Sequence, residues 1–595
     1  MAAEQPKYYF RWVLSKKAIL LAVILGVLAG LGSLVFFVML QLSTKILLGF
    51  AGYSPPIPPG EKEFVDLGFE IPGCRYLIII IPALGGLVSG IITYKWAPEA
   101  EGDGTDAVIE AFHWKRGIIR GRIPVIKAVT ASILIGSGGS SGREGPISQI
   151  GGGVASILAM KLGLSERERE ILVVSGMAAG IGSIFKSPFG GSIFGIEVLY
   201  KRDYEVQALV PAVISTFVAY IVFGSIVGWR PIFSVPEYSF SPYQLPLFAT
   251  LGIIAGLVAR FYIWSYGSIN KAFNRVNIPR YLKPAIGGLL VGLIGFWLPQ
   301  ALETGYGWIE IAILGKLTLE ILIIVMIAKI FATAFSVGSG GPGGLFAPSV
   351  VVGGFLGGVV GSIFRIMAPE LAGDVGVYII VGMGCFFAAA ANVPLASIIM
   401  VAEMTGDYNI LPPAFLASIL AYLVSGERSI YEKQVEEQFR SPFHEREIVT
   451  GLLSYLKVKR IAVPDTHVVS VNDSVIKAEE IMRKHERLAL PVLDEDGKYV
   501  GIITAMDIMA VPPEKIRETK VKDFVRCKFI FVTPECSLLD ALYKMLRFEI
   551  PELPVIDRET KSLVGEISLR DILKYFHYRA EEYFRELKMK ISTSG

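Results

Sequence analysis

Cysteine and histidine, the residues that most often build disulfide frameworks and metal centres, are scarce in this chain: four and five among 595. Cys74, Cys385, Cys527 and Cys536 are scattered without metal-type or framework spacing, so neither a disulfide scaffold nor a metal module is expected. His113, His444, His467, His485 and His577 form no ligand spacing either, and no Ser/His/Asp constellation is evident. We therefore expect no enzyme, no metal and no required cofactor. Charge is sparse as well. Charged residues make up 19% of the chain, the net charge is +3 and the pI about 8.4, a balance that argues against a nucleic-acid partner.

What the chain has instead is apolar length: 52% of its residues are hydrophobic and the mean hydropathy is +0.54, which indicates a polytopic membrane protein. Residues 18–425 carry nearly all the long apolar runs, and beyond about residue 440 the sequence is charged with only short apolar stretches. We read a segment 1–17, a membrane domain 18–435 with halves at about 77–230 and 247–430, a linker 436–455, and a soluble part 456–595 made of two copies at about 456–515 and 516–580. Lys7, Arg11, Lys16 and Lys17 precede the first apolar run and favour a cytoplasmic N-terminus. That run is too long for the core of a signal peptide. The runs 18–42, 77–95, 247–265 and 317–336 are long enough to cross about 30 Å of hydrocarbon. Others, at 147–160, 171–185, 188–200, 376–391 and 394–404, are short and broken by Gly or Pro. Broken segments are tolerated at membrane depth only when buried in protein or lining a watery cavity.

An internal repeat organises these pieces. GSGGSSGREGP begins at Gly136 and GSGGPGGLFAP at Gly338, an offset of 202 residues. Gly180 and Gly182 of a GIG pair at the same offset with Gly382 and Gly384 of a GMG. Pro188 and Glu197 in SPFGGSIFGIEV pair with Pro394 and Glu403 in VPLASIIMVAEM, 206 residues on. Two halves interrupted at matching places point to a binding site at their interface near mid-membrane. The tail has a repeat of its own, in which PVLDEDGKYVGIITAMDIM (491–509) resembles PVIDRETKSLVGEISLRDIL (554–573). Each copy reads as helix, strand, turn, strand and helix, a tandem α/β module.

GSGGSSGREGP lacks the Gly-Lys-Ser/Thr of a phosphate-binding loop, since Gly142 is followed by Arg143 and Glu144. Small-residue helix packing explains the glycines but not Glu144, because an ionisable residue within a membrane segment marks a functional site. Glycine lets successive backbone N–H groups turn toward one point, and a helix N-terminus adds free donors and about half a positive charge. An anion held this way needs no lysine and is free to leave. A carboxylate beside it acts as a tethered substitute for the anion, which protonation removes.

GREGP at 142–146, GSGGPGGLFAP at 338–348 and the tandem soluble pair resemble the CLC family of chloride channels and chloride/proton exchangers, with cystathionine-β-synthase (CBS) domains at the C-terminus. The resemblance covers nearly the whole chain. It implies an α-helical polytopic membrane fold with a CLC-type, inverted repeat of broken helices, followed by an α/β CBS pair. It implies a homodimer in the cell membrane with one pore per subunit and the CBS domains in the cytoplasm. It assigns the transported chloride to backbone N–H groups in GREGP, at Gly142, Arg143 and Gly145, and in GGLFAP, at Leu345 and Phe346. It makes Glu144 the gating glutamate and gives the inner anion site a tyrosine hydroxyl, for which SGERSIYEKQV offers Tyr431.

Two positions depart from the family pattern. The first family motif, Gly-Ser-Gly-x-Pro, corresponds to GDGTD at 102–106, which puts Asp103 where a serine is expected. Either Asp103 turns away and caps the helix, leaving the N–H groups of Gly104 and its neighbours available, or this entrance is tuned differently; we favour the cap. Family exchangers typically carry an internal glutamate one place after Glu197, but here Val198 stands there. An aliphatic side chain relays no proton, which favours a passive channel, with chloride/proton exchange, in which Glu197 or water substitutes, as the alternative. Glu197 and Glu403 themselves read as partners for broken-helix N–H groups. Lys329 either snorkels to an interface or raises the positive potential along the anion path.

In the tail, Thr504 with Asp507 and Ser568 with Asp571 match the pattern by which CBS pairs hold adenine nucleotides (ATP, ADP or AMP), hydroxyl to phosphate and carboxylate to ribose. Helix caps are the competing reading. Two other functions compete with anion conduction. A transporter of a larger organic anion is opposed by the lack of an arginine or aromatic binding set. A nucleotide sensor with a membrane anchor is opposed by the Glu-bearing repeat, since anchoring needs no broken helices.

Overall fold

Apolar runs placed in hydrocarbon must satisfy their own backbone, so they fold as helices. The computed structural model describes residues 12–578 apart from 66, 67, 69, 71, 72, 237, 239, 443, 445–449, 451, 452, 465, 513 and 526–529. Lys7, Arg11 and Cys527 lie outside the described residues. The chain divides near residue 444 into two compact units.

In the first unit the helices are, in chain order, α1 Lys16–Leu47, α2 Arg75–Trp96, α3 Gly104–Trp114, α4 Ile123–Gly136, α5 Glu144–Lys161, α6 Glu166–Ile184, α7 Pro188–Glu197 and α8 Leu209–Val227. They are followed by α9 Leu245–Arg275, α10 Lys283–Trp297, α11 Tyr306–Ile313, α12 Leu319–Gly338, α13 Phe346–Met367, the single turn α14 Pro369–Ala372, α15 Val375–Ala391, α16 Pro394–Thr405 and α17 Leu411–Ser425. Among the described residues six helical stretches are long and apolar enough to cross a membrane: Lys16–Ala51, Arg75–Trp96, Val206–Val227, Pro242–Arg275, Leu319–Gly338 and Phe346–Met367. Arg169 to Ile184 of α6 are instead buried, and so is nearly the whole of the 17-residue α15, from Gly376 to Ala391. An all-round apolar helix of that length belongs inside protein rather than against lipid.

The repeat extends beyond the motifs that revealed it. Helices α3, α4, α5 and α8 recur as α11, α12, α13 and α17, keeping the 202-residue offset from Gly104 to Tyr306, Gly136 to Gly338, Glu144 to Phe346 and Leu209 to Leu411. Contacts between the halves are reciprocal. A Cβ on Gly86 in α2 would overlap the carbonyl of Pro284 in α10, and one on Gly288 would overlap the carbonyl of Pro82. Only glycine lets these helices approach so closely. Because the later residue of each helix meets the earlier residue of the other, α2 and α10 run antiparallel. A two-fold that exchanges antiparallel helices lies across them, so the repeat is inverted.

In the second unit, β1 Val469–Ser470, α18 Val475–His485, β2 Ala489–Leu493, β3 Tyr499–Thr504 and α19 Ala505–Met509 form one copy; α20 Leu538–Phe548, β4 Glu552–Ile556 and β5 Leu563–Ser568 belong to the next. Strand β1 is parallel to β2, β2 is antiparallel to β3, and β4 is antiparallel to β5. Helices α18 and α20 bury matching faces, Val475, Ala478 and Met482 against Leu538, Ala541 and Met545. Each copy also lends its leading segment to the other. Leu456 and Val458 pack in the core of the second copy, where Val463 exchanges backbone hydrogen bonds of 2.9 and 3.0 Å with Glu566. Val521 packs in the first core and donates to Asp473 at 2.9 Å. The copies, expected at 456–515 and 516–580, are thus interleaved.

Arg487 of the first copy reaches Glu552 at 3.4 Å and pairs with Glu566 of the second. Burial pushes the Glu566 carboxyl up to about 7 from its ordinary 4.5; the Arg487 guanidinium opposes the shift, while the Glu552 and Asp571 carboxylates add to it. A carboxyl raised in the folded state stabilises the fold below pH 4.5, and that contribution is lost as pH rises through 7. Substituting Glu566→Gln should flatten this fall in stability between pH 4.5 and 7, read from amide hydrogen exchange of β5 in the full chain. An unchanged pH profile would contradict it.

Candidate functional site

Three glycine-bearing segments meet inside the first unit. Gly142 donates to the Gly344 carbonyl at 2.8 Å, and Gly344 donates to Ser141 Oγ at 2.8 Å. Gly343 donates to Gly102 at 3.0 Å, and Gly104 donates to Gly343 at 3.3 Å. These bonds draw together the N-termini of α3, α5 and α13. Three sets of unsatisfied N–H groups and the positive ends of three helix dipoles therefore share one region.

Two carboxylates occupy it. Glu144, 0% exposed, accepts from the Phe346 N–H through Oε1, while its buried Oε2 has no partner of ordinary hydrogen-bond geometry. Asp103 divides its oxygens. Oδ1 accepts from Thr105 at 2.7 Å and Asp106 at 3.2 Å, capping α3, and Oδ2 accepts from the Leu345 N–H at 2.9 Å. Asp103 therefore caps its helix without turning away. The neighbouring amides of Leu345 and Phe346, which the resemblance assigns to the anion, each hold a carboxylate.

The glycines have a second reason to be there. A Cβ on Gly142 or Gly344 would collide with the Glu144 carboxyl, and one on Gly145 with the Gly343 carbonyl. The expectation of free donors at Gly104 and Gly142 is corrected, because both amides hold the three segments together. Arg143 is committed elsewhere: its guanidinium pairs with Glu61 at 2.5 Å and lies 5.2 Å from the Phe185 ring and 5.3 Å from that of Tyr306. Tyr431, 1% exposed, is buried beside Thr105, Asp103 and Glu144, and its hydroxyl has no partner of ordinary hydrogen-bond geometry.

Lys127, on α4, was not singled out in the sequence. It is fully buried and donates to the carbonyls of Ala100 at 2.9 Å and Gly102 at 2.7 Å, with Asp103, Glu101 and Glu144 as the surrounding carboxylates. The signal lay in the repeat, since Lys127 and Lys329 are 202 residues apart. Lys329 does the same work in its half, donating to Leu302 at 3.3 Å and Glu303 at 2.5 Å while fully buried. It does not snorkel.

Glu197 and Glu403 are reciprocal caps. Glu197, at the end of α7, accepts from Leu395 at 3.1 Å and Ala396 at 2.7 Å at the start of α16. Glu403, near the end of α16, accepts from Phe189 at 3.2 Å and Gly190 at 2.8 Å at the start of α7. Val198 is 0% exposed. In the second unit Thr504 and Asp507 form a capping box, with the hydroxyl on Asp507 Oδ2 at 2.6 Å, and Ser568 with Asp571 repeats it at 2.6 Å.

Converging helix N-termini inside an inverted repeat, with carboxylates lying on their amides, define a multi-pass membrane protein built to handle small anions. Residues 85–426 match the voltage gated chloride channel family, and residues 458–514 and 521–578 match the CBS domain. The chain belongs to that family, the CLC anion-transport proteins. It is 31% identical over 363 residues to the H(+)/Cl(-) exchange transporter ClcA of Salmonella agona, covering 59% of this chain and 76% of the relative. It is 29% identical over 444 residues to the protein of the same name in Cronobacter sakazakii, covering 71% of this chain and 91% of the relative. Its fold matches a slow cyanobacterial Cl-/H+ antiporter with a TM-score of 0.62 at 22% identity, over 70% of this chain and 97% of that one.

Removing Glu403 leaves two amides and the Ser187 hydroxyl without their acceptor, at a cost of roughly 1–3 kcal/mol. Glu403→Ala and Glu197→Ala should each lower the thermal unfolding temperature of the solubilised protein by a similar amount, and the Gln variants by less. Wild-type stability in either Ala variant would rule out the capping role.

Proposed function

We propose that this chain is a proton-coupled chloride antiporter, working as a homodimer with one anion path in each subunit and with its N-terminus and CBS pair on the cytoplasmic side. The observation that carries the reading is the Glu144 carboxylate lying on the Phe346 amide at converging helix N-termini. Chloride and ionised Glu144 compete for the same donors. A proton on Glu144 removes its charge and with it the competition, so proton uptake and anion entry become linked events. The neighbouring Asp103 holds the Leu345 amide as a second resident anion. Chloride, rather than another anion, and coupling to protons follow the exchange transporters that the chain resembles.

Val198 favours a second reading, the passive channel, because it stands where an internal proton carrier would be and is closed off from solvent. Against it stand the exchange transporters that the chain resembles and a second buried carboxylate, Asp103, beside the gating Glu144. Regulation by an adenine nucleotide at the CBS pair is a separable part of the proposal and rests on the in-register Thr504–Asp507 and Ser568–Asp571 pairs. A nucleotide bound there would have to take each hydroxyl from its carboxylate.

The decisive measurement is the reversal potential of reconstituted protein under opposing chloride and proton gradients. We expect it to shift with pH at fixed chloride, and Glu144→Gln to abolish that shift. A reversal potential that follows chloride alone in the wild type would select the channel. For the CBS pair, ATP should raise the thermal stability of the full chain, and Asp507→Ala with Asp571→Ala should remove the effect.

A further inference from the structure

We propose that Asp103 is the inner proton-transfer group of the transport path, taking the place of the carboxylate absent at Val198. The inference rests on the antiporter reading and adds the route by which protons reach Glu144.

Four observations carry it. First, Asp103 borders two spaces at once. It lines a vestibule of about 600 Å³, and its Oδ2 rests on the Leu345 amide, one residue from the amide that holds Glu144. Consecutive Cα atoms are ~3.8 Å apart across a trans peptide, so the two carboxylates are seated on neighbouring donors.

Second, the vestibule suits protons better than anions. Glu99, Glu101, Asp103, Asp106, Glu110 and Glu432 line it, against Lys115, Arg120 and Lys433. An excess of carboxylates raises the local proton concentration and lowers that of chloride.

Third, the buried charges do not balance. Asp103 is faced by Lys127 from α4, Glu144 from α5, Tyr262 and Tyr266 from α9, Tyr431 from the segment after α17, and Glu101 and Asp106 from its own segment. The one ammonium in this set, Lys127, offsets one carboxylate. Set against it are four carboxylates, Glu101, Asp103, Asp106 and Glu144, so the fully ionised cluster carries excess negative charge, and an uncompensated buried charge is strongly unfavourable. The pair holds a proton that either member can carry.

Fourth, Glu197, the other carboxylate close to Val198, is held by the Leu395 and Ala396 amides and by the Tyr204 hydroxyl at 3.2 Å. Its caps commit it to the α16 N-terminus.

The transfer is simple to balance. The O–H bond of protonated Asp103 breaks as an O–H bond forms on the Glu144 carboxylate. Asp103 is left as a carboxylate bonded to the Leu345 amide and offset by Lys127, and it takes its next proton from hydronium in the vestibule, which becomes water. Neutral Glu144 gives up the Phe346 amide to chloride. The reverse sequence returns the proton to the vestibule.

The test uses full-length protein in proteoliposomes, with Asp103→Ser, Asp103→Asn and Asp103→Glu. Serine and asparagine keep a helix-capping oxygen but exchange no proton at neutral pH. Whatever the size of the remaining flux, the reversal potential of the Ser and Asn variants should no longer shift with pH at fixed chloride, while Asp103→Glu should keep a shift. Wild-type coupling in Asp103→Ser or Asp103→Asn would overturn the proposal and leave the antiporter reading intact. A wild type without pH-dependent reversal would instead overturn the antiporter reading and this route with it. Should a variant carry no measurable flux, proton uptake on chloride binding by the solubilised protein decides. Asp103→Asn should slow that uptake, because Glu144 loses its proton donor on the vestibule side, and an unchanged rate would overturn the role.

Discussion

A carboxylate resting on the backbone amide of another helix, enclosed largely by protein, is the interaction on which this molecule is organised. Glu144 on Phe346 and Asp103 on Leu345 need three helices to begin at one place, and that convergence needs helices broken at mid-membrane. Broken helices expose N–H groups that hydrocarbon does not satisfy, so they must be enclosed by long helices. The glycines follow from the same requirement. They let the Gly102, Gly142 and Gly344 segments bond to one another and leave room for a carboxyl group folded against bare backbone.

The same solution recurs with both signs of charge. Glu197 and Glu403 each cap the helix that the other terminates, while Lys127 and Lys329 each bind carbonyls at the end of a preceding segment. Carboxylates sit at helix N-termini and ammonium groups at carbonyl ends, the arrangement that backbone dipoles favour. Both types appear once in each half because an inverted repeat makes every solution twice. The central pair breaks the symmetry. Asp103 has Gly305 as its counterpart 202 residues on, so a single half supplies this second carboxylate.

The soluble unit shows a different use of duplication. Its two copies exchange leading segments, Leu456 and Val458 in one direction and Val521 in the other, and Arg487 joins Glu552 and Glu566 across them. Neither copy closes its core alone. The pair therefore behaves as one folding unit.

Much of this was legible in the order of residues. The 202-residue offset, the Glu197–Glu403 pairing and the Gly-rich motifs follow from local composition and spacing, because helix breaks and buried carboxylates need particular residue types at particular intervals. The resemblance to CLC proteins located the amides of Leu345 and Phe346. What the order of residues left open was orientation. Asp103 reads as a helix cap or as a differently tuned entrance; its carboxyl caps α3 with one oxygen and takes the Leu345 amide with the other, since three helix ends lie within its reach. Lys127 shows itself in the sequence only as the repeat counterpart of Lys329; its role comes from carbonyls at Ala100 and Gly102 and a carboxylate on another helix. The Arg143 guanidinium turns to Glu61, 82 residues away, a pairing that no local pattern announces. Sequence alone determined which groups exist and how often they recur. Which carboxylate lies on which amide was decided only by the tertiary fold, because hydrogen bonds between segments 200 residues apart depend on how the helices cross.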